Sequence, residues 1–159
     1  MHNVIVFCAS YLIILPVLVV IYIEIKTIAK HNYELLAIAI LVSVIGLLLA
    51  KLGSALISDP RPFVYGPAKA MVSSGLDNGF PSDHTLLSSI LAVVGWHYSK
   101  KLGIGLALLA AVIGWARVAA HVHHLKDILG AMVIAVVAYI IATVLYKVFR
   151  GCGSAPLAN

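Results

Sequence analysis

Charge is what this sequence has least of. Asp, Glu, Lys and Arg make up 11% of its 159 residues, against roughly 25% in an ordinary soluble domain. Meanwhile 62% of the residues are apolar and the mean hydropathy is +1.07. So small a charged complement excludes a disordered tail and a cytosolic globule. The formal charge of +5 is spread along a hydrophobic chain, so it marks membrane orientation rather than nucleic-acid binding. Cysteine is nearly absent too: Cys8 and Cys152 stand near opposite ends, which is neither a disulfide framework nor metal-ligand spacing. No internal repeat and no interdomain linker is visible. The start, Met1-His2-Asn3, lacks a positive n-region, and the apolar run behind it is too long for a cleaved signal peptide. That segment is expected to be a retained helix.

What is present is one apolar stretch after another. A hydrocarbon core about 30 Å thick takes roughly 20 residues of helix. Five stretches fit or nearly fit: 3–23, kinked at Pro16; 35–57, interrupted late by Lys51; 81–98; 102–120; and 127–146. A polar loop with Gly and Pro covers 58–80, and 151–159 reads as a short flexible tail. The expected fold is therefore all-α, a single polytopic membrane bundle of about five transmembrane helices over residues 1–150. Lys26 and Lys30, Lys100 and Lys101, and Lys147 and Arg150 fall on one side of an up-down path, the cytoplasmic side by the positive-inside rule. Tyr22, Tyr33, Trp96, Tyr98 and Tyr146 fall at the same interface. The N-terminus and the loops 58–81 and 118–126 then lie outside.

Those two loops hold most of the unusual polar residues. One carries Asp59-Pro60-Arg61-Pro62 and runs into Pro81-Ser82-Asp83-His84; the other carries Arg117, His121, His123, His124, Lys126 and Asp127. Single lysines there, such as Lys69, read as interfacial anchors. Two arginines and two histidines on converging loops imply more, because charge at membrane depth is costly. Ser82 or Asp83 can cap a helix whose first N–H groups suit a phosphate oxygen. Arg61 and Arg117 can add forked bonds to the same anion. His123 and Asp127 are spaced i, i+4, so on a helix the carboxylate would hold one imidazole nitrogen and leave the other exposed as a nucleophile. His84 can give a proton to a leaving oxygen. This is a phosphoryl-transfer set with no metal and no cofactor.

The order Arg61-Pro62, then Pro81-Ser82-x-His84, then Arg117, five residues, His123, three residues, Asp127 resembles the signature of the type-2 phosphatidic acid phosphatase superfamily. Asp-Pro-Arg-Pro-Phe-Val and Phe-Pro-Ser-Asp-His-Thr look most like its bacterial undecaprenyl-diphosphate phosphatase branch. The resemblance implies that His123 attacks phosphorus to form a phosphohistidine, that Asp127 orients it, and that His84 protonates the leaving group and then activates water. Arg61, Arg117, Ser82 and the amides at Asp83 and His84 would hold the phosphoryl oxygens. It further implies an isoprenoid or phospholipid phosphate as substrate and a bacterial inner membrane, with the site facing outward. Two departures stand out. The family's lysine seven positions before Arg61 is here Ser54, with Lys51 one turn further back and still within reach of the phosphate. The usual serine before Arg117 is Ala116.

Rival readings are weaker. A zinc site built from His121, His123, His124 and Asp127 fails because on a helix His124 points about 100° away from His123. Arg61 and Arg117 would also repel a cation. His2, His31, His97, His121 and His124 read as solvated or structural. Asp59 has either a basic partner or Arg61 to steer. Ser88, Ser89, Gly103, Gly105, Gly114 and Gly130 read as helix-packing positions. An anion-binding protein or transporter remains as the non-enzyme alternative, although no inverted repeat supports it.

Overall fold

Pro16 has no N–H to offer Leu12, and its ring crowds that carbonyl. The chain breaks just upstream, at residues 11–13, where Leu12 N reaches back to Phe7 O (3.3 Å) and Leu15 N takes Leu12 O instead (3.2 Å). The first apolar stretch is therefore two helices, α1 (His2–Ser10) and α2 (Ile14–Ile28), and the bend precedes the proline by about a turn. The structure, a computed structural model, describes residues 1–152. The remaining elements are α3 (Glu34–Leu56), the short α4 (Pro62–Tyr65), α5 (Asp83–Tyr98), α6 (Lys100–Ala119) and α7 (Leu125–Cys152). Lys51 does not interrupt α3, because a lysine near a helix end can carry its ammonium to the interface. The tail expected from 151 onward begins as helix, and the rest of it lies outside the described residues.

Among the described residues, four stretches are long and apolar enough to cross a membrane: His2–Ile28, Glu34–Leu56, Lys100–Ala119 and Leu125–Arg150. The fifth helix of the expected bundle is α5, whose 16 residues rise only about 24 Å. It is packed against α2, α3, α6 and α7, so it need not be apolar all round. Its Ser88 hydroxyl returns a bond to His84 O at 2.8 Å, as a hydroxyl in a low-dielectric interior must. The large apolar side chains point outward instead, among them Leu18, Ile25, Leu48, Leu108, Trp115 and Ile140. The buried set includes Arg61, Arg117, His123 and Asp127. Such a distribution reverses that of a water-soluble globule.

Small residues set the helix spacing. Ala131, Ala135, Ala138 and Ala142 fall on one face of α7 and meet Ile38 and Val42 of α3 and Leu86 and Ile90 of α5. Phe80, at the end of the long loop, is wedged between Gly53 and Gly130; a Cβ at Gly130 would fall inside its ring. Because Phe80 leads into Ser82, this wedge fixes where α5 begins. Gly130→Ala is expected to cost roughly 1–3 kcal/mol by overpacking. A melting temperature in detergent equal to that of the unaltered chain would contradict this. Gly105 differs from its expected role, since a Cβ there would meet nothing within 4 Å.

Candidate active site

The 57–82 segment and the turn between α6 and α7 come together at one end of the bundle. Asn78 stitches the long loop shut. Its amide nitrogen donates to Ser54 O (2.9 Å), Ser54 Oγ (3.0 Å) and Ile57 O (2.7 Å), and its Oδ1 accepts from Asp59 N (2.8 Å) and Phe80 N (3.3 Å). Ser54, at the position where the resemblance led one to look for lysine, thus anchors the loop. Gly79 N donates to Asp59 O at 2.8 Å, and Pro60 bridges to Asn78. Arg61 is thereby turned inward.

His123 is 3% exposed. It lies two residues ahead of α7 rather than on it, so the expected shared helical face is not how it meets Asp127. Instead Asp127 Oδ2 accepts the His124 backbone N–H at 2.9 Å, a bond that folds the preceding turn back over the helix start. That brings His123 Nδ1 to 3.3 Å from Asp127 Oδ2 and 3.0 Å from Gly79 O. The other ring nitrogen, Nε2, lies 3.2 Å from Arg61 Nη1. A guanidinium can only donate, so Nε2 must carry its lone pair and Nδ1 the proton. The imidazole is thus set as a nucleophile, with its lone pair directed at the arginine that would hold an anion.

Arg117 comes from the last turn of α6, and its Nη1 donates to Ala9 O at 3.2 Å. That carbonyl has no backbone partner beyond α1 because the helix stops before Ile13 could reach it. Pro16 thereby reaches the site through the break it causes. The Nε atoms of Arg61 and Arg117 are both buried and have no partner among the described residues. Unmet guanidinium donors in a dry site are costly, and an arriving anion would satisfy them. His84 and Asp83, in the first turn of α5, lie within electrostatic reach of Arg117, and His84 within reach of His123. Ser82 is fully buried at the N-cap position, but its side chain makes no capping bond; Oγ accepts from Thr85 Oγ1 at 3.2 Å. Lys51 lines a cavity of about 240 Å³ with Ser54, Asp77 and Asp83, between α3 and α5.

Residues 32–150 match the PAP2 superfamily. The chain belongs to that superfamily. Among its curated relatives, it is 29% identical over 79 residues to the undecaprenyl-diphosphatase BcrC of Bacillus subtilis, covering 50% of this chain and 41% of that one. It is 33% identical over 91 residues to the putative undecaprenyl-diphosphatase YbjG of Escherichia coli, covering 55% and 44%. The chain therefore spans less than half the length of these relatives. Its fold is that of the crystal structure of LpxE from Aquifex aeolicus, with TM-score 0.68 at 23% identity over 89% of this chain and 82% of that one. Within the PAP2 fold, the three sequence blocks meet at one end of the bundle, as their order led one to expect.

Asp59, which the sequence left undecided, is buried and takes basic partners: Lys126 Nζ at 3.0 Å and His124 Nδ1 at 3.1 Å. His124 is therefore structural, tied to the loop that carries Arg61. Ligand atoms of Asp59, His124 and Asp127 lie within 4.8 Å of one another, a trio that could hold a metal ion. Both oxygens of Asp59 already have cationic or N–H partners, so an ion there would have to displace them. His121 adopts a left-handed backbone (φ 59°) in the turn after α6, where its N–H donates to Val118 O at 2.9 Å. Sequence reasoning missed Gly79 O, Asn78, Ala9 O and the Arg61 partners Ser74 and Asp77. Only the Asn78-Gly79 pair carried a signal, as a turn dipeptide.

Proposed function

We propose that this chain is an integral-membrane lipid phosphatase that removes a phosphate from undecaprenyl diphosphate or a closely related lipid phosphate, through a phosphohistidine and without a metal. The observation that carries the reading is the buried His123 lone pair held against Arg61, with the unmatched Nε donors of Arg61 and Arg117 buried at the same end of the bundle. A terminal phosphate entering this space would take bonds from Arg61, Arg117, Ser82 and the first amides of α5, with Lys51 at the approach. Taking Arg61 away from His123 frees Nε2 at the moment the phosphorus arrives. Nε2 attacks phosphorus, the bridging P–O bond breaks, and His84 gives its proton to the departing oxygen. The neutral His84 then takes a proton from water, whose oxygen attacks phosphorus; the P–N bond breaks, its electron pair returns to His123 Nε2, and inorganic phosphate leaves.

The choice of undecaprenyl diphosphate draws on the names of the relatives and on the local wording around Arg61 and His84. Phosphatidylglycerol phosphate, phosphatidate and lipid A phosphate are the alternatives within the same chemistry. Phosphate binding without cleavage is the alternative outside it. Lys26, Lys30, Lys100, Lys101, Lys147 and Arg150 at the opposite end of the bundle favour an outward-facing site in a bacterial inner membrane. Phosphate release by the purified chain in detergent with EDTA, from undecaprenyl diphosphate beside phosphatidate and phosphatidylglycerol phosphate, tests the reading. Release chiefly from the diphosphate is expected. Release chiefly from a monophosphate would keep the mechanism and change the substrate. No release from any of them, or release only with added zinc or magnesium, would overturn the proposal.

A further inference from the structure

The fork of Arg61 is occupied before any anion arrives. Nη1 donates to Ser74 Oγ at 2.7 Å and Nη2 to Asp77 Oδ1 at 3.1 Å. The arginine is buried, while the Asp77 side chain is 71% exposed. The loop is pinned on both sides of these residues, by Met71 N on Ala120 O (3.0 Å) and by the bonds of Asn78 to Ser54 and Ile57. Residues 73–77 therefore form a strap over the guanidinium, presenting a carboxylate and a hydroxyl to N–H groups that would otherwise take phosphoryl oxygens. Gly75 leaves room for this closure: a Cβ there would stand 2.5 Å from Asp77 Oδ1, and the exposed carboxylate would have to shift. Asp77 also lines the cavity that holds Lys51, so a second cation is at hand when Arg61 releases it.

We infer that Asp77, with Ser74, is an internal stand-in for the substrate phosphate and sets the charge that a ligand needs to enter. The inference rests on the reading that Arg61 holds phosphoryl oxygens. A carboxylate carries one negative charge, as does the phosphodiester of an ordinary bilayer lipid, so such a lipid gains little by displacing it. A terminal phosphate or diphosphate brings more charge and more acceptor oxygens to the same fork, and it wins the exchange. The strap thus keeps abundant diester headgroups off Arg61 while admitting terminal phosphates.

Titration calorimetry of vanadate into the full chain in detergent tests this with Asp77→Asn, Gly75→Ala and Arg61→Ala. Asp77→Asn removes the competing charge, and Gly75→Ala pushes the carboxylate aside without changing its charge. Each is expected to tighten vanadate binding by about fivefold, the scale of a partly exposed ion pair. Damage to the fold could only weaken binding, so a gain cannot come from a merely structural role. Unchanged or weaker binding in both variants, with binding by the unaltered chain that depends on Arg61, would overturn the strap and leave the phosphatase reading standing. No vanadate binding by the unaltered chain, or binding indifferent to Arg61→Ala, would overturn both.

Discussion

His123→Ala is expected to reduce phosphate release by roughly four orders of magnitude or more, the scale seen when a nucleophile is removed. The variant should still fold, because His123 contributes two Nδ1 contacts to a turn that Asp127 and Val122 hold independently through backbone bonds. Acid-labile label from a radioactive substrate should disappear with the activity, since a P–N bond breaks in acid. The neighbouring imidazole supplies the control. His124 points its Nδ1 at Asp59, and Lys126 holds the other oxygen of that carboxylate, so His124→Ala should lose far less. Retention of more than about one per cent of the rate in His123→Ala would remove His123 from the nucleophile's role.

The candidate site was legible because it is written in short spacings and residue types. Arg117, His123 and Asp127 come from one contiguous stretch, and Ser82 and His84 from another, so motif order alone nominated them. Their roles depended on partners the sequence hides. The tautomer of His123 is set by Gly79 O, which is 44 residues away in the chain, and Arg117 is tethered to Ala9 O across 108 residues. Main-chain oxygens belong to every residue type, so no composition or periodicity marks them. The i, i+4 argument brought His123 to Asp127 for an incorrect reason: the pair meets across a helix start, not along a helix face. Pro16 was seen as a kink, but the consequence, a freed carbonyl that positions Arg117, required the tertiary fold. Asp77 was passed over because an exposed acid in a polar loop looks like any other solvated acid.

Asp127→Asn is expected to reduce kcat by about 10²–10³-fold with little change in KM, less than the roughly 10⁴-fold seen when the analogous carboxylate of a Ser-His-Asp triad is made an amide. In a triad that change is damaging because it stabilises the wrong imidazole tautomer. Here Gly79 O, at 3.0 Å, remains as an acceptor for the Nδ1 proton and keeps Nε2 free. What is lost is the negative charge that would steady the imidazolium-like ring as Nε2 bonds to phosphorus. The buried amide has partners for both ends. Its oxygen can keep the His124 N–H, and its NH₂ can turn toward Asp59, which has a carboxylate oxygen within 4.8 Å of one of Asp127. Folding should therefore survive, and the melting temperature in detergent separates this from a structural failure. Asp127→Ala, which removes both bonds, should lose stability as well as rate. A loss of 10⁴-fold or more in Asp127→Asn would show that Gly79 O does not hold the tautomer. A loss under about tenfold would show that Asp127 anchors the turn and adds nothing to the nucleophile.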